Sequence, residues 1–184
     1  MSSAIGIIEL SSIATGFQVQ DAMLKAAQIE LSIARTICPG KYIIVVGGKV
    51  ASVKSAMEAG KLVAGGFIVD ELLIASVDER VFPALTGSVV LPENYQRALG
   101  IIETFSSASI IEAADAMVKS AHITLFRVHV AMAIGGKGFL LACGDVAAVK
   151  TAIDAGCQRI KNHGVLVNRV VLTGVTKELF QEYI

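Results

Sequence analysis

The chain has 184 residues, enough for one large domain or two small ones, and its 16 Lys plus Arg are matched by 16 Asp plus Glu. That balance provides no field to draw nucleic acid or an anionic membrane, so neither is an expected partner. Hydrophobic residues make up 54% and mean hydropathy is +0.66, yet Gly, Lys, Glu or Asp interrupts each apolar run before the ~18–20 residues that span a bilayer.

Taken from the N-terminus, Met1-Ser2-Ser3-Ala4 has neither the basic start nor the long apolar stretch of a secretion signal. Residues 6–10 read as a short strand, with Ser11-Ser12 placed to cap the next helix. Residues 14–27 bring Phe17, Asp21, Leu24 and Gln28 to helical spacing beside an apolar face. Two apolar strands, 29–37 and 41–46, flank a corner at Cys38-Pro39-Gly40, since proline presets one φ angle and glycine tolerates positive φ. The Ala-rich stretch 50–63 reads as a second helix and 67–75 as a last strand. The segments 78–85 and 176–183 each suggest a short added helix.

The chain then repeats itself. Ala4-Ile5-Gly6-Ile7-Ile8-Glu9 returns as Ala98-Leu99-Gly100-Ile101-Ile102-Glu103, and Asp21-Ala22-Met23-Leu24-Lys25 as Asp115-Ala116-Met117-Val118-Lys119. Val53-Lys54-Ser55-Ala56-Met57-Glu58-Ala59-Gly60 matches Val149-Lys150-Thr151-Ala152-Ile153-Asp154-Ala155-Gly156. The spacing between equivalents grows slightly along the chain, the mark of two homologous domains with small loop insertions. Glycine and proline punctuate Gly87-Ser88-Val89-Val90-Leu91-Pro92, which puts the domains at 1–90 and 91–184. Each half runs β-α-β-β-α-β. The expected class is therefore α+β: two tandem ferredoxin-like (split βαβ) domains, each with helices over one face of an antiparallel sheet. An apolar excess without a membrane span points to a cytoplasmic protein that buries surface against its own copies.

Few residues carry chemistry. The central strands lack the aromatic pattern that ferredoxin-like RNA binders use. The Gly-Gly-Lys groups at 47–49 and 135–137 lack the first glycine and the Ser/Thr of a phosphate loop. His122, His129 and His163 have no zinc-site spacing and no neighbouring acid in sequence. Glu9 and Glu103 are duplicated, which suits a structural task at a strand end. No catalytic residues are expected, and the chain is not read as an enzyme. Cys38, Cys143 and Cys157 form no CxxC and no obvious disulfide framework, in keeping with a reducing compartment. Cys38 alone falls at a loop tip; the plainer account is a small residue packed under its own turn.

Three stretches of the second half, Ala98 to Glu103, Ala113-Ala114-Asp115-Ala116-Met117-Val118-Lys119-Ser120-Ala121 and Gly144-Asp145-Val146-Ala147-Ala148-Val149-Lys150, resemble the bacterial microcompartment shell domain, or BMC domain. The first half carries the same signature in looser form. With Ile37-Cys38-Pro39-Gly40-Lys41 at its first inter-strand loop, the chain is similar to the PduT-type tandem-domain branch of that family.

The resemblance implies a structural shell subunit in the shell of a cytoplasmic microcompartment. It implies a homotrimer forming a flat pseudo-hexameric tile that meets other shell proteins. The loops lining the central opening would be Cys38, Pro39, Gly40 and Lys41 in one half and Ile134, Gly135, Gly136 and Lys137 in the other. In PduT-like relatives the loop cysteine ligates an iron–sulfur cluster on the three-fold axis, and Cys38 is its counterpart here. Three thiolates, one from each chain, would hold one 4Fe–4S cluster and leave one iron to an outside ligand or solvent. Such a centre suits electron transfer across the shell, with encapsulated redox enzymes as partners; zinc on the same thiolates is the nearest alternative metal. Lys41 is then placed to offset cluster charge. Lys25 and Lys119 would lie at the tile edge, where many relatives also carry a Pro-Arg-Pro-His-like segment; Ala75-Ser76-Val77-Asp78-Glu79-Arg80 and Thr173-Gly174-Val175-Thr176-Lys177 stand there instead. The competing reading is a ferredoxin-like module that regulates by binding a small ligand.

Overall fold

The computed structural model describes residues 3–93 and 95–183. It forms two compact units, Met1–Val77 with Met132–Gly136, and Asp78–Ala131 with Lys137–Ile184. In the first, β1 (Ser3–Leu10), α1 (Ile13–Ala26), β2 (Glu30–Ile37), β3 (Lys41–Lys49), α2 (Val50–Ala64) and β4 (Ile68–Ile74) come in that order. The antiparallel sheet runs β2-β3-β1-β4, the split βαβ arrangement that the hydrophobic pattern predicts. The second unit opens with α3 (Val81–Thr86) and repeats the pattern as β5 (Ala98–Thr104), α4 (Ser107–Ser120), β6 (Thr124–Val130), β7 (Gly138–Cys143), α5 (Val146–Ile160) and β8 (Leu166–Thr173). Its sheet is β6-β7-β5-β8.

Local chemistry accounts for the start of the first long helix in each half. Ser12 and Ser106 are N-caps whose hydroxyls accept from the backbone N–H of Thr15 (3.2 Å) and Ser109 (3.0 Å). Alternate residues of β1 and β3, Ile8, Leu10, Tyr42, Ile44 and Val46, face α1 and α2 and build the first core with Val19, Met23, Val53, Ala56 and Met57. The helix pair of each half crosses closely because a glycine receives a methionine. A Cβ on Gly60 would stand 2.8 Å from Met23 Cγ, and one on Gly156 would stand 2.8 Å from Met117 Cγ. The methionine of each Asp-Ala-Met run is thus a packing residue, and its glycine partner lies in the other repeated segment.

Two segments depart from the simple repeat. Residues 78–91, which the repeat reading divides at 90, lie wholly within the second unit. There Val89, Leu91 and Tyr95 pack with Val175 and Phe180 against Leu99, Phe126, Leu141 and Cys143 on one face of the second sheet. Phe180 belongs to a 3-10 turn, Lys177–Tyr183, where a short helix is expected, and sits edge-on to Tyr95 at 4.8 Å.

The start of this connection is tied down by charge. Arg80 donates twice to the Asp78 carboxylate (2.8 Å each) and once to the Val118 carbonyl at the end of α4 (2.6 Å). The Asp78 backbone N–H donates to Asp115 Oδ1 (2.8 Å), whose other oxygen accepts from Lys119 (2.6 Å). Hydrogen bonding from Arg80, opposed by burial, lowers the Asp78 pKa from 3.8 to about 2. A depressed carboxyl stabilises the fold above its unfolded pKa and loses that contribution as pH falls toward the folded value. The pair is partly exposed, so solvent screening reduces its worth to about 1 kcal/mol. Asp78→Asn is expected to lower the thermal midpoint at pH 7 by a few degrees, the difference shrinking between roughly pH 4 and pH 2. A pH-independent difference would remove the ion pair from the explanation.

Candidate functional site

β2 and β3 zip together until Ile37 pairs with Lys41, which leaves Cys38, Pro39 and Gly40 as a three-residue turn. The Cys38–Pro39 peptide is cis, and Gly40 takes a φ of 73°, where only glycine is unstrained. Cys38 is half-buried in this turn. Lys41 begins β3 and is mostly buried, with its ammonium paired to Glu9. That differs from the expected counter-charge for a cluster, because Glu9 already neutralises it. The second half repeats the pair as Lys137 with Glu103 at 2.7 Å. The duplicated glutamates thus anchor the lysine that ends each loop.

The loop between β6 and β7 is longer and has no thiol. Ala131 and Ala133 adopt φ of 54° and 62°, Gly135 and Gly136 adopt 67° and 84°, and the base is closed by Ala131 N–H donating to Lys137 O (2.9 Å). Met132–Gly136 belongs to the first unit, where Gly136 lies against the Cys38 turn. Ile134 is half-buried and Gly135 exposed.

The other two thiols are unsuited to metal binding. Cys143 ends β7 in the core, and burial raises its pKa to about 11. Burial also raises that of Cys157 in α5, against a weaker downward pull from Arg169. Thiolate is the nucleophile and the ligand, so both are inert at neutral pH. A maleimide should label native protein at Cys38 alone, and all three cysteines after denaturation. Native labelling at Cys143 or Cys157 would show that these sites open more readily than their burial implies.

Among the described residues, no three His, Cys, Asp or Glu side chains converge within one chain to hold a metal. The donor set of a single chain is one thiol, so an iron–sulfur group fits only if Cys38 of several chains meet. The histidines serve other ends. His122 is exposed, and His129 stacks on Phe139 at 5.0 Å. His163 Nδ1 lies 3.1 Å from Ser109 Oγ and 3.6 Å from Glu112 Oε2, a trio that sequence spacing does not reveal. Serine and glutamate share the same ring nitrogen, unlike the two-sided relay of a Ser-His-acid triad.

The two edge lysines have unlike settings. Lys25 pairs with Asp21 (2.6 Å) where both are exposed, while Lys119 pairs with an Asp115 carboxylate buried beneath the Asp78–Arg80 connection. Equal sequence motifs have become unequal surfaces.

The sequence profile of the BMC domain matches twice, at residues 4–77 and 98–175. The chain belongs to the BMC-domain family. It is 40% identical to the bacterial microcompartment shell protein PduT of Citrobacter freundii, over 100% of this chain and 99% of the relative. A crystal structure of a microcompartments protein from Desulfitobacterium hafniense DCB is 41% identical and superposes with a TM-score of 0.93, covering 97% of this chain and 98% of the other. The shell protein EutM of Salmonella typhimurium is 46% identical over 39% of this chain and 72% of its own length. This BMC-domain protein is a tandem-domain structural shell subunit, and its place is the microcompartment shell. No helix among the described residues is long and apolar enough to cross a membrane.

Proposed function

We propose that three copies of this shell subunit close into a ring of six BMC domains, a pseudo-hexameric tile that assembles with other shell proteins. One observation carries the ring: the two copies of the first helix differ in how far equivalent apolar residues are covered. In α4, Ile111 is 0% and Val118 is 2% exposed; their equivalents in α1, Phe17 and Leu24, are 60% and 43% exposed. The chain has two copies of one domain and leaves this helix face open on only one of them. A second copy of the chain covers the open face of α1, and a closed ring leaves no such face uncovered.

Within that ring the three Cys38 thiolates hold one 4Fe–4S cluster on the axis, and the subunit passes electrons across the shell. The cluster would supply one-electron chemistry when bound. The protein's part is to present one accessible thiol per chain at a turn and to keep its other two thiols protonated in the core. Redox enzymes inside the shell are the partners such a conduit would serve. Protein purified without oxygen should be brown and contain about four irons per three chains. Colourless protein, or protein containing zinc in place of iron, would refute the electron-transfer role and leave the shell role standing.

A further inference from the structure

The loop after β6 supplies an observation that the ring alone does not use. Met132–Gly136 comes from the second repeat, yet it packs within the first unit. A Cβ on Gly136 would lie 3.1 Å from the Cys38 carbonyl oxygen, 3.8 Å from Pro39 Cδ and 3.9 Å from the Cys38 carbonyl carbon. Ordinary contact starts at 3.4 Å, so a methyl on Gly136 would force the Cys38 carbonyl to give way by a few tenths of an ångström. The approach is held by four positive-φ residues along the loop, Ala131, Ala133, Gly135 and Gly136, two of them alanines that disfavour this region. Strain of this kind persists only where surrounding structure over-determines the backbone, and it gathers at clamps and ligand sites.

We propose that Met132–Gly136 is the seat of the Cys38 turn and that Gly136 is a positioning residue, setting how far the Cys38 thiol projects. The proposal rests on the reading of Cys38 as a ligand, which it deepens by giving the thiol-free loop a task. A single flexible turn would let three thiols wander; a fixed seat holds each at one height and costs no reorganisation when metal binds. It also explains why the longer loop needs no cysteine of its own.

Gly135 provides the control, because its φ of 67° makes alanine equally unwelcome to the backbone while nothing lies within 4 Å of its Cβ. Gly136→Ala and Gly135→Ala are compared in full-length, iron-free protein by the rate of maleimide labelling at Cys38. If the added methyl unseats the turn, a change of one or two kcal/mol in seating should speed labelling by roughly 5–30-fold in Gly136→Ala and leave Gly135→Ala near the wild-type rate. Equal rates in the two variants, or a wild-type rate in Gly136→Ala, would overturn the seat. Should Gly136→Ala not fold, amide exchange of the wild-type chain gives the answer. Met132–Gly136 and residues 38–41 should open with one common protection factor, and independent opening would overturn the proposal. Iron loading is scored separately: faster labelling of Gly136→Ala, in a protein whose wild-type form never takes up iron, sinks the cluster and spares the seat.

Discussion

Phe17→Asp is expected to convert the ring to single chains at micromolar concentration, with each domain still folded. Phe17 is 60% exposed on α1 and packs against Tyr42 of its own unit, ring to ring at 5.0 Å. A carboxylate there stays solvated in a lone chain and costs only the contact with Tyr42. Buried at a subunit contact without a partner, it costs several kcal/mol on top of the lost apolar burial, which itself is about 1.5–3 kcal/mol per side chain. The proposed ring has three such contacts, so the penalty would apply three times. Leu62→Asp is the contrast: Leu62 is 86% exposed on α2, and its equivalent in α5, Gln158, is exposed as well. Sedimentation velocity should therefore show monomer for Phe17→Asp and an unchanged trimer for Leu62→Asp. A Phe17→Asp trimer as stable as wild type would move the subunit contact away from α1.

Cys38→Ser is expected to abolish the brown colour and the reduced-state EPR signal entirely while the trimer persists. Serine nearly matches cysteine in size but is a poor iron ligand, and the turn's shape comes from Pro39, Gly40 and the Ile37–Lys41 pair rather than from the sulfur. Cys143→Ser and Cys157→Ser should retain both signals, with some loss of stability at Cys143, where a hydroxyl would be buried in a fully enclosed site. Iron that survives in Cys38→Ser would place the ligands elsewhere.

Much of this architecture is legible in the residues. The β-α-β-β-α-β order, the serine caps and the duplicated halves come from short-range pattern, because strand and helix periods of 2 and 3.6 leave their mark within a dozen residues. The turn at Cys38 is equally local. What escapes is the difference between the halves. A repeat invites the assumption that Lys25 and Lys119 have the same surroundings, yet Asp115 is bound by Asp78, 37 residues away, and Asp21 is not. The cover over the second sheet by Tyr95 and Phe180, and the seating of Gly136 on the Cys38 turn, are likewise long-range contacts with no period of their own. The Ser109–His163–Glu112 trio spans a helix and a distant turn, which is why no motif announces it.

Native mass spectrometry of anaerobically purified protein tests the central claim in one measurement, because it reads chain number and bound inorganic mass together. The dominant species should weigh three 19.2 kDa chains plus a single Fe4S4 unit. Monomers, or trimers of bare polypeptide mass, would contradict it.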